Sequence, residues 1–339
     1  MHSTPAWSDC QRGGVMRIAR GLFLLLTSVL GLSMLAPETS GVKGYPDRPI
    51  QMILPYPPGG QGDTACRMLI EELDKLLGTK IIPNNRPGAG TVLGADAAVR
   101  AKKDGYTLFY SSASPVIYVP ITNPEVVHYD PMKDLEPLGF HFFMPTVVGV
   151  KADAPWKTFP QFVEYARKHP GKIRMTSVGV GSFTHFAIEL LQSITGIRVT
   201  HVPYEGGESV VTGVLGGHVE AALDGYGKFK PHVEAGRMRV LLIDPALPSH
   251  PEIPTLRQLG YAQTLPATWF APWAPAGIPD DAKRVLIPAI EKAVKITKPK
   301  LDQMGHLCEY RSPAQVSKLR DEEYKQIYDI AVRIGLHRQ

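Results

Sequence analysis

The sequence predicts an α/β protein of two Rossmann-like lobes with a ligand cleft between them, and three observations carry that expectation. Between residues 50 and 110 short apolar runs of strand character alternate with stretches at helical spacing, the order of a doubly wound parallel sheet. A second series of the same kind begins at Val147. In both series a Gly-rich turn joins a strand to a helix, and in such sheets ligands gather beyond the strand C-termini. At 339 residues the chain also exceeds the usual size of one domain, so two domains around separate cores are expected.

The N-terminus reads differently. Arg12, Arg17 and Arg20 precede residues 21–36, an uncharged and largely apolar run of 16 residues. This is the pattern of a secretory signal ending near residue 40, with Met16 as an alternative start, and it predicts export to the periplasm. The run is short for a membrane span, and an uncleaved anchor is the other reading. Of the three cysteines, Cys10 would leave with the signal. Cys66 and Cys308 could then form one bridge, or Cys66, on the apolar face of its helix, could act as a small buried residue.

Composition excludes several classes of function. Lys and Arg number 37 against 32 Asp and Glu, a net charge of +5 that is too small and too dispersed for nucleic acid, so partners are expected to be small. His128, His141, His201, His218, His232 and His250 lack the spacing of a zinc site, and no Walker-type lysine follows the glycines at 59–62. Neither a metal nor another cofactor is expected.

The opening stretch organises the first lobe. Residues 50–54 read as a buried strand, and residues 64–77, with Ala65, Cys66, Leu69, Leu73, Leu76 and Leu77 at helical spacing, as an amphipathic helix. Asp63 stands where its N-cap belongs. The first turn of a helix leaves backbone N–H groups without intrahelical partners and carries partial positive charge, so a carboxylate or phosphate binds there without a cation. Gly59, Gly60 and Gly62 would let the backbone bend until those groups converge on one ligand. A strand-to-helix turn with nothing bound is the alternative. Residues 80–83 read as a strand, 92–101 as a helix of small residues, and 106–110 as a third strand ending in Ser111 to Ser114. Tyr56, Asp63 and these serines fall on one sheet edge.

The second series repeats this logic. A strand at 147–150, a helix at 159–169 and a strand at 173–177 lead to a Gly/Ser turn and a helix at 185–195, with the Ser182 and Thr184 hydroxyls beside a second set of free N–H groups. A strand at 198–201, a helix at 208–215 and strands at 217–224 and 238–244 follow, Asp224 being a polar strand tip. Residues 267–273 read as a strand crossing back. Helices at 279–296 and 313–334 are expected to pack on the first lobe, which would comprise 45–146 and 268–339, with 147–267 as the second. Leu54-Pro-Tyr-Pro-Pro-Gly-Gly60 and Val202-Pro-Tyr-Glu-Gly-Gly207 echo one another, through duplication or by chance.

An ordered set of segments resembles the tripartite tricarboxylate transporter substrate-binding proteins, also called the Bug family. It includes Tyr45-Pro-Asp-Arg-Pro49, Pro55-Tyr-Pro-Pro-Gly-Gly60 with Asp63, Asn85-Arg-Pro-Gly-Ala-Gly90, Asp104-Gly-Tyr-Thr107, Gly179-Val-Gly-Ser182 with His185, and His201-Val-Pro-Tyr-Glu-Gly-Gly207. The resemblance runs from about Tyr45 to the C-terminus. It implies a type II periplasmic-binding-protein architecture that closes on a small carboxylate and delivers it, by transient contact, to transporter membrane subunits; a monomer is expected. It also implies that the carboxylate lies between two strand–helix loops, here residues 56–63 and 179–185, held by backbone N–H groups, Ser/Thr hydroxyls and water. The chain departs from the family where Tyr56 replaces a frequent Phe and Glu205 a frequent Lys. A Glu205 facing the cleft, unless paired with Lys228 or another cation, would favour an aromatic or amino-bearing carboxylate; facing solvent it would have no effect.

The expected ligand site is therefore Tyr56, Gly59, Gly60 and Asp63 on one wall, and Ser111, Ser112, Gly181, Ser182 and Thr184 on the other parts of the cleft. Asp224 is an outer candidate, and Asp63 is a helix cap first. No enzyme is expected. Ser182 and His185, with Asp224 orienting, would name a nucleophile and base, yet both lie at one helix start, where Ser is an ordinary cap, and no Gly-x-Ser-x-Gly elbow is present. A ligand-sensing module for a membrane kinase would need the same cleft, and a hydrolase is the third reading.

Overall fold

Apolar strands and Gly-rich turns build two mixed sheets in the computed structural model, which describes residues 44–204 and 207–337. The first sheet opens with β1 (Ile50–Leu54), α1 (Gln61–Leu77), β2 (Ile81–Asn85), α2 (Val92–Val99) and β3 (Thr107–Ser112). A π-helical turn (Ser114–Tyr118) leads through α3 (Val119–Thr122) to the short strands β4 (Leu135–Pro137) and β5 (Phe142–Met144). The chain then crosses to the second sheet. There it forms β6 (Thr146–Lys151), α4 (Phe159–Lys168), β7 (Arg174–Ser177), α5 (Phe183–Thr195), β8 (Thr200–Pro203), α6 (Gly207–Leu215), β9 (Ala221–Gly225), α7 (Tyr226–Glu234) and β10 (Met238–Asp244). It returns on β11 (Thr268–Pro275) and ends with α8 (Asp280–Gln303), β12 (Leu307–Cys308) and α9 (Pro313–Ile334).

The strand orders are β12-β5-β11-β3-β1-β2, with β4 beside β11, and β10-β6-β9-β7-β8. β1 is parallel to β2 and β3, and β7 to β8 and β9. The crossing strands pair antiparallel, β11 with β3 and β6 with β9. The expected parallel sheet is thus a parallel triplet with an antiparallel flank, because the chain passes between sheets instead of returning over one of them. The two sheets share this layout: β2-β1-β3-β11-β5 corresponds to β8-β7-β9-β6-β10. The echo between residues 54–60 and 202–207 does not follow that correspondence, since Val202 lies on β8 and the turn equivalent to 55–60 follows β7.

Strand alternation divides the side chains between two layers. Met52, Leu54, Leu108 and Tyr110 pack under α1 and α8, with Leu69, Leu73, Leu286 and Ile290. Ile53 and Phe109 face the other way, into a cluster with Ala95, Trp269, Val316 and Ile327 that continues to Val148 and Leu223 of the second sheet and Phe186 of α5. Each sheet also has a core cluster of its own, the second around Val147, Val214 and Phe229, so the separate cores expected are present beside a cluster that spans both sheets. α8 runs past residue 296 and through Pro288 and Pro299, since its buried stripe of Leu286, Ile290, Ala293, Val294, Thr297 and Leu301 remains at helical spacing. At the crossing, the Thr146 hydroxyl donates to the Pro266 carbonyl at 2.7 Å.

Cys66 and Cys308 are both free and buried, so no bridge joins them. Burial pushes the Cys308 thiol up to about 12. The expected signal at 1–40, with Cys10, and the orientation of Glu205 lie outside the described residues. Among the described residues no helix is long and apolar enough to cross a membrane.

Candidate functional site

α1 begins three residues before the expected start, and Asp63 explains why. It is not the cap but the third helical residue, with Gly60 as the cap in extended backbone. Its buried carboxylate accepts hydrogen bonds from Gly59 N–H at 2.9 Å, Arg67 Nε at 2.8 Å and Asn85 Nδ2 at 2.8 Å. Asn85 Nδ2 also donates to the Tyr56 carbonyl at 2.9 Å, and Arg67 Nη2 to Asn85 Oδ1 at 3.0 Å. Burial pulls the Asp63 carboxyl upward, but the donors from Arg67, Asn85 and Gly59 together hold it below the usual carboxylate range. Asp63 and the Gly59 N–H thus shape the turn, with Asp63 bracing the helix start from its third residue instead of capping it. The turn requires φ of +89° at Gly59, a conformation suited to glycine.

What remains for a ligand on this wall is backbone and one phenol. No side chain caps α1, so its first-turn N–H groups keep no side-chain acceptor. A Cβ on Gly62 would lie 2.8 Å from the Tyr56 ring and 3.0 Å from that of Phe270; the missing side chain lets Tyr56 lie against the helix start. The Tyr56 hydroxyl accepts from Ser112 N–H at 2.7 Å and stands 3.5 Å from Ser111 Oγ. Because it accepts there, its own proton is available to a further acceptor. Burial raises its pKa, so it remains a neutral donor. Tyr56, Ser111 and Ser112 are thereby brought together, as the shared sheet edge predicts.

On the opposite turn Ser182 caps α5, accepting from His185 N–H at 3.2 Å and donating to the Gly179 carbonyl at 2.6 Å. Thr184 Oγ1 accepts from Val178 N–H at 3.0 Å and lies 3.1 Å from Ser182 Oγ. Both hydroxyls bond within the turn. α5 accordingly starts at Phe183, two residues before the expected start. His185 Nδ1 accepts from Gly181 N–H at 3.1 Å, its ring stacks on His201 at 4.2 Å between centroids, and His201 Nε2 stands 2.7 Å from Ser177 Oγ.

The nucleophile–base reading finds no geometry here. Ser182 meets the backbone of His185, and the buried Asp224 accepts from Gly225 N–H at 2.7 Å and Lys228 Nζ at 2.5 Å. Asp224, the outer candidate, is the ion-pair partner of Lys228. Lys228, the cation considered for Glu205, is taken by that pair.

Two contacts bring the sheets' C-terminal edges face to face. The Thr122 hydroxyl at the end of α3 donates to the Gly181 carbonyl at 2.7 Å. Gly181 has φ of +76°, and a Cβ there would lie 2.8 Å from Asn123 Nδ2. Likewise a Cβ on Gly227, at the start of α7, would lie 2.6 Å from Gln61 Nε2 of α1. Sequence reasoning missed Arg67, Asn85, Gln61 and Thr122 as site-shaping residues; the spacing of Asp63 and Arg67, one helical turn apart, was the available signal. Among the described residues no cluster of His, Cys, Asp or Glu suits a metal ion.

Two sheets of matching layout, joined by crossing strands and turning helix N-termini toward each other, define a two-lobed solute receptor of the periplasmic binding-protein class. Residues 65–336 match the tripartite tricarboxylate transporter family receptor, and the chain belongs to that family. It is 32% identical over 264 residues to protein BugT of Bordetella pertussis, covering 77% of this chain and 80% of that one. A solved periplasmic transporter is 30% identical with a TM-score of 0.81, covering 86% of this chain and 99% of the other. MatC from Rhodopseudomonas palustris with bound malate is 26% identical with a TM-score of 0.76, covering 84% and 99%.

Proposed function

We propose that this receptor captures a small carboxylate between the turns at 56–62 and 178–184 and hands it to the membrane subunits of a tripartite transporter. The observation that carries this reading is the first turn of α1, which has no side-chain cap and looks toward the second sheet across Gln61 and Gly227. Backbone N–H groups there, with the Tyr56 phenol, are neutral donors for an anion. Neutral donors suit a carrier, since an Arg–carboxylate pair in the cleft would release more slowly. The malate in the related MatC is the same chemistry. Residues 45–146 with 268–339 form one lobe and 147–267 the other, hinging where Thr146 meets Pro266. The chain acts in the periplasm after export, as a monomer with transient transporter contacts and no catalysis.

Thermal unfolding of the chain against mono-, di- and tricarboxylates, aliphatic, aromatic and amino-bearing, with phosphate compounds as controls, tests this. A ligand at about 100 times its dissociation constant stabilises by about 2.7 kcal/mol. A shift confined to carboxylates that are recovered unchanged supports the reading. Conversion of the compound, or no shift from any carboxylate, defeats it.

A further inference from the structure

Two histidines hold the glycines of the second turn. Gly179 and Gly181 adopt φ of +130° and +76°, and each is tied to an imidazole. The Ser177 hydroxyl accepts from Gly179 N–H at 3.2 Å and stands 2.7 Å from His201 Nε2, while His185 Nδ1 accepts from Gly181 N–H at 3.1 Å. The His185 and His201 rings lie 4.2 Å apart and within 13° of parallel. Since a backbone N–H can only donate, Nδ1 of His185 carries no proton in this arrangement, and the proton of the neutral ring is on Nε2. The Gly181 carbonyl accepts in turn from the Thr122 hydroxyl at 2.7 Å. Gly181 is therefore held by His185 on its own side and by the edge of the first sheet on the other.

A proton added to His185 Nδ1 would aim a donor at a donor, so the bond to Gly181 is lost in the charged ring. The groups that face His185 are Glu189 from its own helix, the His201 ring from β8 and the Gly181 N–H from the turn. Its Nε2 stands 3.8 Å from Glu189 Oε1, and a carboxylate at that distance favours the charged imidazole. Burial raises the Glu189 carboxyl, against which Gln192 Nε2 donates to it at 2.8 Å. Burial lowers the pKa of His201, so the first proton of the stacked pair goes to His185. We infer that His185 is a positioning residue for the bound carboxylate: its neutral ring fixes Gly181 and the turn at 179–185, and its protonation releases them, so the receptor holds its ligand at neutral pH and loosens it in mild acid. The identity of the ligand rests on the carboxylate reading, the switch on the imidazole geometry. An anion beside the turn would by charge alone bind tighter to a protonated ring, so the direction of the pH effect separates this role from simple attraction.

Nitrogen NMR of the unliganded chain with labelled histidine and glycine tests the switch without a ligand. His185 is expected as the Nε2–H tautomer at pH 8, and the Gly181 amide is expected to lose its protection factor as the His185 ring protonates. An Nδ1–H tautomer, or Gly181 protection that does not follow the His185 titration, would overturn the proposal. Calorimetric titration with malate at pH 8 and pH 6 tests the consequence, and affinity should fall about two- to fivefold in acid, up to the worth of one hydrogen bond. His185→Asn sets an amide oxygen near the position of Nδ1 and does not titrate, so it should keep most of the affinity and lose the fall. His185→Leu has no acceptor and should bind about fivefold more weakly at both values. A merely structural His185 would lower the stability of both variants without separating their pH profiles. Malate affinity that is constant or rises in acid, or that falls equally in His185→Asn, would also overturn the assignment. Both NMR readouts use the native chain and stand where a variant fails to fold. Malate that does not bind at either pH counts against the carboxylate reading, and the tautomer and the Gly181 exchange then decide the switch.

Discussion

The Thr122 hydroxyl donates to the Gly181 carbonyl across 2.7 Å, tying the end of α3 to the turn that precedes α5. The Tyr118 carbonyl, at 2.9 Å, is the alternative acceptor one helical turn back. The bond joins a segment that follows β3 of the first sheet to the turn that follows β7 of the second, so it forms where the two edges meet.

Thr122→Val should therefore weaken closure while sparing the fold, because Tyr118 retains its helical environment. We expect a loss of about 1 kcal/mol, about fivefold in affinity, for any carboxylate that shifts the melting temperature. Titration calorimetry reads this directly, and unchanged affinity would assign the bond no part in closure.

Asp63→Ala leaves the Gly59 N–H and one N–H of the Asn85 amide without their acceptor, the other still donating to the Tyr56 carbonyl. The Arg67 share is small, since that side chain is 45% exposed. Destabilisation of about 2–3 kcal/mol is expected in urea unfolding, with Asp63→Asn costing less because one oxygen survives. Carboxylate affinity should fall with Asp63→Ala even at temperatures where the variant is folded, since Gly59 then loses its anchor. A folded variant with intact affinity would show that the turn holds its shape without this carboxylate.

Tyr56→Phe removes the acceptor of Ser112 N–H and the phenolic donor together. Expected costs are about 1–3 kcal/mol of stability and weaker carboxylate binding. Comparison with Ser111→Ala separates the two effects, since Ser111 stands 3.5 Å from the phenol and the substitution leaves the Ser112 N–H bond in place. If Tyr56→Phe loses stability but no affinity, the phenol is a structural acceptor alone.

The dependence of stability on pH follows from four buried groups. Burial, with His306 nearby, pushes His141 down to about 3, and burial pushes His306 down to about 4, from 6.5. The unfolded chain therefore binds more protons in that window, and stability rises with pH toward 6.5. Burial pushes Asp244 and Glu323 up to about 6, from 3.8 and 4.5. Their contribution has the opposite sign, present in acid and lost as pH climbs through 6. The histidine shifts are the larger, so the urea midpoint should rise from pH 4 to pH 6.5. His306→Phe should flatten that rise. A midpoint that falls over this range would contradict the burial of both rings.

Much of this architecture is legible in neighbouring residues. Strand alternation at 50–54 and the helical stripe from Ala65 to Leu77 arise from periods of two and 3.6 residues, which a single stretch displays by itself. The two Gly-rich turns and the crossing at residues 267–273 were readable for the same reason. β4, β5 and β12 were not, since strands of two or three residues show no period, and α7 was hidden by Pro231 within it. The hydrophobic pattern also said which faces are buried without saying which strands pair, so the antiparallel flanks and the shared core cluster came from packing alone.

The candidate site divides along the same line. That the turns at 56–63 and 179–185 lead from strands into helices is a local property that the sequence determined. Which polar groups those turns consume was decided by tertiary structure. Asp63 is claimed by Asn85 from 22 residues away, and Gly181 by Thr122 from 59. Hydroxyl and carboxylate groups bond with whatever packing brings within 3 Å, and that distance is set by the folded chain, not by spacing along it.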